Sequence, residues 1–169
     1  MDKTLISREV LEAEALTNAM SSTPGYQWPS RSCITLIESL CEAMGLEVPD
    51  YKEWKDLEEG RSCVIAINKY SSLGNAHQQV LVDVGWTAID IDHEANLAPV
   101  IQPCDVVSFS GKIKMQDYTV YGPVREQAHW TGIVGPECSV YGWTVNGLHH
   151  VIESGRPCHI TRYVAEGAE

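Results

Sequence analysis

The chain is short of basic residues, of paired cysteines and of long apolar runs, and each shortage excludes a class of protein. Its 169 residues include 12 Lys and Arg against 23 Asp and Glu, which gives a formal net charge of −11. A surface that binds nucleic acid needs clusters of basic side chains, so this charge predicts no nucleic-acid partner. No apolar stretch approaches the ~20 residues that cross a bilayer, which predicts no membrane insertion.

The six cysteines are scattered, with no C-x-x-C pair among them. The N-terminus runs into a charged helical segment, where a secretory leader would carry apolar residues. We therefore expect free thiols in a reducing compartment and no disulfide framework. Cysteine and histidine crowd the C-terminal hairpins, but Cys158 and His159 are adjacent and point to opposite faces of a strand, which does not suit zinc. The sequence predicts no metal and no other cofactor.

Apolar residues recur with a helical period in the first half of the chain. Helices are predicted over Leu5 to Met20, Ser32 to Met44, Val64 to Lys69 and Ala76 to Val84. Thr4 or Ser7 is expected to cap the first helix, and Gly45 to end the second. An acidic, irregular stretch with a helical apolar edge is expected from Pro49 to Gly60.

The pattern becomes typical of β-structure from Ile89 onward. Strands are predicted over Asp105 to Ser110, Thr131 to Gly135, Ser139 to Val145, Leu148 to Glu153 and Cys158 to Val164. Asn146-Gly147 is a strong signal for a two-residue hairpin. Helices followed by an antiparallel meander predict an α+β fold, with residues 1–25 as an N-terminal helix and connector and residues 26–169 as the main domain.

One cysteine stands directly at a predicted helix start. The octapeptide Tyr26-Gln27-Trp28-Pro29-Ser30-Arg31-Ser32-Cys33 leads into the second helix, which places Cys33 in its first turn. The positive end of a helix stabilises a thiolate, so this position predicts a lowered pKa and a nucleophile. The alternative is a small buried side chain, since free cysteine is among the most buried residue types.

Three segments in order resemble the NlpC/P60 superfamily of papain-like cysteine peptidases and amidases, and most closely its phage-encoded branch. They are the octapeptide ending at Cys33, the strand Pro103-Cys104-Asp105-Val106-Val107, and His129-Trp130-Thr131-Gly132-Ile133. The resemblance implies a papain-like fold in which N-terminal helices pack on an antiparallel meander. It also implies that Cys33 attacks a carbonyl and that His129 takes and returns the proton.

The chain departs from the family pattern at several positions. Ser32 stands where the family usually has Asp, and Pro29 and Cys104 stand where it usually has Gly. One residue is inserted between His129 and Gly132. The nucleophile and the base are kept despite these departures. The alternative that the chain is a degenerate, inactive copy of the fold stays open.

A third catalytic position follows from counting strand register. A tight connection over residues 135–138 would set His129 opposite Thr144, and the hairpin turn would set Thr144 opposite His149. The family's orienting residue lies on the strand after the histidine strand. Thr144 is therefore favoured to hold the ring of His129, with Asn146 and His149 next.

Other aromatic and histidine residues receive lesser roles. Trp28, Trp130 and His149 are predicted to line the substrate groove, and three other histidines (His77, His93 and His150) are interpreted as surface residues. Asp105 is expected to begin a strand with a turn hydrogen bond.

The resemblance implies hydrolysis of an amide bond in bacterial cell-wall peptides by a protein associated with a phage tail. Such a protein would be made in the bacterial cytoplasm and then carried in the virion, with other tail proteins as partners. The alternative is a tail or baseplate protein that keeps the fold without the chemistry. A third interpretation is an intracellular thiol hydrolase or acyltransferase.

Overall fold

A computed structural model describes residues 1–23, 25–91, 101–115, 125–144, 147–154 and 159–165; for residues 110–115, 125–130, 144 and 149–154 the backbone alone is described. Five helices precede six strands in this part of the chain: α1 (Lys3–Ala19), α2 (Cys33–Ala43), α3 (Lys52–Lys55), α4 (Glu59–Tyr70), α5 (Leu73–Asp83), β1 (Thr87–Ile89), β2 (Val106–Met115), β3 (Arg125–Val134), β4 (Val140–Thr144), β5 (Gly147–Ser154) and β6 (His159–Arg162). The predicted α+β class is confirmed.

The helices begin and end at local signals that differ in part from the predicted ones. Asp2 caps α1, because its side chain accepts a hydrogen bond from Leu5 N, so the prediction of Thr4 or Ser7 as the cap was wrong. A left-handed residue, Ser71 at φ 76°, separates α4 from α5. The two helical pieces predicted on either side of this break are confirmed, although both helices begin earlier in the chain than expected.

The six strands form one antiparallel sheet in the order β1-β6-β2-β3-β4-β5. β5 pairs with β4 and also with the end of β2, where Ile113 lies opposite Ser154. The four strands β2 to β5 therefore close on one another, while β6 and β1 extend the sheet from the beginning of β2, where Val107 pairs with Ile160.

The predicted register of the meander was wrong on both sides of β4. Val134 pairs with Val140, not with Ser139, because Ser139 belongs to the connection and accepts a hydrogen bond from Gly135 N. Gly147 is the first residue of β5 and pairs with Thr144, two positions away from the predicted partner His149.

This register removes the row of side chains that the sequence predicted. A shift of one residue moves a side chain to the other face of a sheet, so His129 is not set opposite Thr144. The backbone of His129 pairs with Ser110 of β2, and His149 pairs with Gly142. Thr144 therefore lacks the register that favoured it as the third catalytic residue.

The helices cover one face of the sheet. Successive residues of β2 point to opposite faces, so the core consists of two clusters. Val106 packs with the helices, in a cluster that includes Leu36, Ile37, Leu40 and Leu81. Its neighbour Val107 points to a second cluster on the opposite side, because successive strand residues face opposite ways. Helix α5 lies between α4 and strands β1, β2, β3 and β6. This position determines which side chains of α5 reach the candidate site.

Candidate active site

Cys33 is the first residue of α2, as the sequence predicted. Ser32 precedes it in extended conformation, at φ −143° and ψ 178°, and serves as the N-cap. The backbone N–H of Ser32 donates to Thr35 Oγ1 at 2.9 Å, and its hydroxyl donates to the Pro29 carbonyl at 3.0 Å. These bonds fix the chain at the turn that enters the helix, and the Cys33 side chain remains partly exposed there.

The loop in front of Cys33 is held by Arg31. Arg31 is 5% exposed, and its guanidinium donates to the carbonyls of Gly25 and Thr23 and to the side chains of Ser21 and Gln27. The backbones of Gln27 and Arg31 also exchange two hydrogen bonds, at 3.1 and 2.7 Å. The segment that carries the aromatic residues before the cysteine is therefore a fixed part of the fold.

The imidazole next to Cys33 belongs to His77. Nε2 of His77 lies 3.4 Å from Sγ of Cys33, although the two residues are 44 positions apart. His77 is 4% exposed, so its interpretation as a surface residue was wrong. The reason is the position of α5, whose face with Gly74, Ala76, Val80 and Leu81 is buried between α4 and the sheet.

Tyr51 lies on the other side of the same ring. Its hydroxyl is 3.0 Å from Nδ1 of His77, and its side chain is 1% exposed. Trp54 packs edge-on against both rings, with centroids 5.6 Å from Tyr51 and 6.4 Å from His77. Thiol, imidazole and phenol thus form one hydrogen-bonded chain, in which the histidine is on a helix, not on a strand.

Burial controls the electrostatics of this chain. It raises the pKa of Cys33 to about 12, with the nearby Cys63 thiol acting in the same direction and the backbone N–H of Ile34 acting against it. The expectation that the helix start lowers this pKa was wrong, because the loss of solvation outweighs the hydrogen bonds from the helix. In the free protein Cys33 is therefore a thiol, and a base must remove its proton during the reaction.

Tyr26 and Glu59 interact electrostatically with the Cys33 thiol, and Trp28 lies in the loop before it. Tyr26 donates a 2.5 Å hydrogen bond to Glu59 of α4, and Trp28 donates from Nε1 to the Leu57 carbonyl at 2.9 Å. Burial raises the pKa of Tyr26 well above its ordinary value, so its hydroxyl stays protonated. Trp28, predicted to line the groove, is half-buried and, like Cys33, packs against the main core cluster.

For most of the other predicted site residues the structure describes only the backbone. His129 and Trp130 are in β3, and Thr144 and His149 are in β4 and β5, but their side chains lie outside the described part. Asn146 lies outside the described residues altogether. The pairing of His129 with Cys33 therefore stays a prediction.

Sequence reasoning missed His77 and Tyr51, although one signal was available. In α5 the residues Leu73, Ala76, Val80 and Leu81 form a stripe with helical spacing, and His77 falls within that stripe. A polar ring on an otherwise apolar face has to find a buried partner. Tyr51 carried no such signal, because its position beside Trp54 is typical of an ordinary core residue.

The described side chains contain no group of three or more His, Cys, Asp or Glu that could hold a metal ion. Likewise, none of the described helices has the length and apolar character that a membrane span requires.

Comparison of the chain with known protein families, with characterised proteins and with solved structures finds no match.

Proposed function

We propose that this protein is a cysteine hydrolase that cleaves an amide bond, with Cys33 as nucleophile and His77 as general base. The observation that carries the proposal is the 3.4 Å separation of Cys33 Sγ and His77 Nε2 at the first residue of a helix. In nucleophilic catalysis the nucleophile and the base lie within reach of one another, and a third group binds the far nitrogen of the ring. Cys33, His77 and Tyr51 have this arrangement.

The reaction would follow from this geometry in two stages. Nε2 of His77 takes the Sγ proton as Sγ attacks the substrate carbonyl, and the developing oxyanion lies near the backbone N–H groups at the start of α2. The C–N bond breaks, His77 returns the proton to the leaving amine, and a thioester remains on Cys33. Water then attacks the thioester, again through His77, and releases a carboxylic acid and the free thiol.

The substrate we propose is a peptide of bacterial cell wall, and the fold a papain-like NlpC/P60 domain. Support comes from the segments that end at Cys33 and at Val107, from a cysteine at the start of a helix and from an antiparallel sheet behind that helix. A base on α5 departs from the strand histidine of that family. A phage tail that must cross peptidoglycan would use such an activity. The protein would then be made in the bacterial cytoplasm and carried in the virion with other tail proteins.

The direct test is release of soluble peptides from purified peptidoglycan and muropeptides. We expect Cys33→Ala to abolish release with the circular dichroism spectrum unchanged, because the substitution removes the nucleophile from a partly exposed position. Cys138→Ser is the matched control, because Cys138 is an exposed thiol in a turn and should keep wild-type activity. Wild-type protein that releases nothing from any preparation would contradict the proposal.

A second comparison identifies the base. We expect His77→Gln to lower kcat by at least ~100-fold, which is the lower end of what general-base catalysis contributes. His129→Gln, made in parallel, tests the histidine that the sequence motif favours. Full activity in His77→Gln together with loss of activity in His129→Gln would assign the base to the strand and contradict our assignment.

One observation favours a second candidate function, a structural protein of a phage tail or baseplate. Burial raises the pKa of Cys33 to about 12, so the thiol is protonated at neutral pH, as expected for a copy of the fold that keeps the cysteine without the chemistry. This candidate predicts that Cys33→Ala assembles into particles as efficiently as wild type and that neither protein cleaves cell wall. Particle assembly with the cleavage assay therefore separates the two functions.

A further inference from the structure

We infer that Tyr51 is a positioning residue for His77: its hydroxyl accepts the Nδ1–H of the imidazole and thereby leaves Nε2 unprotonated and directed at the Cys33 thiol. The distances are 3.0 Å from the Tyr51 hydroxyl to Nδ1 and 3.4 Å from Nε2 to Sγ. The direction of this hydrogen bond is inferred from the proposed function, whereas the protonation of the ring can be measured without it.

The Tyr51 hydroxyl is held in place by its surroundings. The side chain is 1% exposed, and the ring meets Trp54 edge-on at an interplanar angle of 67°. The Tyr51 carbonyl accepts hydrogen bonds from the N–H groups of Trp54 and Lys55, at 3.0 and 2.9 Å, which ties the residue to the start of α3. A group fixed in this way can select one orientation and one proton position of the imidazole.

The direction of the hydrogen bond follows from what a base needs. A neutral imidazole has one nitrogen that donates and one that accepts. If the Tyr51 hydroxyl donated to Nδ1, Nε2 would carry the proton and could not remove another from Cys33. If Nδ1–H donates to the hydroxyl, Nε2 can take the thiol proton, and the Nδ1 bond persists in the imidazolium that results.

The choice of a phenol also explains the resting state of the pair. Burial raises the pKa of Tyr51 well above 10, so the group beside His77 is neutral. A neutral acceptor stabilises an imidazolium less than a carboxylate would, because the hydrogen bond lacks the ionic contribution. A neutral phenol therefore favours a neutral imidazole, and burial separately keeps Cys33 protonated by raising its pKa to about 12.

Tyr51→Phe tests the inference, since it deletes the hydroxyl and keeps the ring that packs on Trp54. The first readout is the ¹⁵N NMR signature of the His77 side chain at a pH where the ring is neutral. We expect the wild-type spectrum to show a proton on Nδ1 and the variant to move toward protonation of Nε2. A wild-type ring protonated on Nε2, or an unchanged spectrum in Tyr51→Phe, would overturn the inference.

The second readout is kinetic. We expect Tyr51→Phe to lower kcat by roughly 10- to 100-fold, as for the loss of a hydrogen bond to a group that becomes charged, with KM within about twofold of wild type. Tyr70→Phe is the matched control, because the Tyr70 ring also packs edge-on against Trp54, at 5.9 Å. An equal loss in both variants would show that the effect does not depend on the hydroxyl that faces His77, and it would overturn the inference.

The two readouts keep this inference separate from the proposed function. If the wild-type protein has the Nδ1 proton, loses it in Tyr51→Phe and yet cleaves no substrate, the role of Tyr51 in setting the ring stands and the hydrolase proposal fails. If the protein cleaves substrate but the spectrum of His77 does not respond to Tyr51→Phe, the hydrolase proposal stands and this inference fails.

Discussion

Gly74 of α5 lies against His159 of β6 so closely that a β-carbon at position 74 would come 2.6 Å from Nδ1 of His159. Around this contact, His159 Nε2 is 2.6 Å from the side-chain oxygen of Asn75, and Gln78 donates to the Ile160 carbonyl at 3.2 Å. The first turns of α5 are thus fixed on β6. His77 belongs to the same turns, so this contact helps to set its distance from Cys33.

We expect Gly74→Ala to weaken both the fold and the site. The added methyl group must displace the His159 ring or the helix, and overpacking of this kind costs about 1–3 kcal/mol. Any movement of α5 also moves His77 away from Cys33, so kcat should fall together with the free energy of unfolding. Urea denaturation and the peptidoglycan assay measure the two effects.

Gly60→Ala provides the comparison for that prediction. Gly60 is in α4, and no heavy atom of the described residues beyond its own helix and chain neighbours lies within 4 Å of a β-carbon placed there. Alanine is a better helix former than glycine, so this variant should gain up to about 1 kcal/mol and keep its activity. Equal stability of Gly74→Ala and Gly60→Ala would show that the contact with His159 accommodates a methyl group without loss of stability.

Asp105 joins the beginning of β2 to β6, and its loss should destabilise the fold. Its carboxylate is fully buried and accepts two hydrogen bonds from the Arg162 guanidinium, at 2.9 and 2.8 Å. It also accepts from Gln102 N, which is the turn hydrogen bond that the sequence predicted. Asp105→Asn removes the carboxylate charge from the two hydrogen bonds with Arg162, and we expect a loss of about 1.5–3 kcal/mol in urea denaturation.

The surface ion pair between Lys55 and Glu38 is the control for this loss. Both side chains are partly exposed, at 34% and 18%, and the two charged atoms are 2.9 Å apart. Because water screens such a pair, Glu38→Gln should cost less than about 1 kcal/mol. Similar losses in Asp105→Asn and Glu38→Gln would mean that burial adds nothing to the Asp105–Arg162 pair.

The sequence predicts the elements better than it predicts their register. Apolar periodicity and the Ser32-Cys33 boundary locate α2, because both signals are local. The pairing of β3 with β4 depends instead on the length of one connection, where Cys138 takes a positive φ of 60° and Ser139 is drawn into the turn. A single residue in that connection changes the face to which the side chains of β4 point.

The candidate site shows the same limit more sharply. Cys33 could be chosen from its position at a helix start, which is a property of the neighbouring residues. His77 meets Cys33 only because α5 packs between α4 and the sheet, which is a tertiary arrangement. The sequence motif led to a histidine on a strand, whereas an imidazole from a helix occupies the hydrogen-bonding position beside the thiol.

The pH dependence of Cys33 alkylation should show whether Cys33 is a thiol or a thiolate in the free protein. Iodoacetamide reacts with thiolate, and burial raises the pKa of Cys33 to about 12. The proton is therefore held throughout the neutral range, and the rate should rise about tenfold per pH unit from pH 7 to pH 10, without a plateau. Mass spectrometry after timed labelling gives the rate for each thiol.

Cys138 is the internal reference in the same experiment. Because its side chain is exposed, it should be labelled faster than Cys33 at pH 7, contrary to the reactivity that a helix start alone would predict. A labelling rate for Cys33 that is high and constant between pH 6 and pH 9 would identify a thiolate–imidazolium pair with His77. In that case the third group would have to stabilise the imidazolium more strongly than the neutral hydroxyl of Tyr51 can.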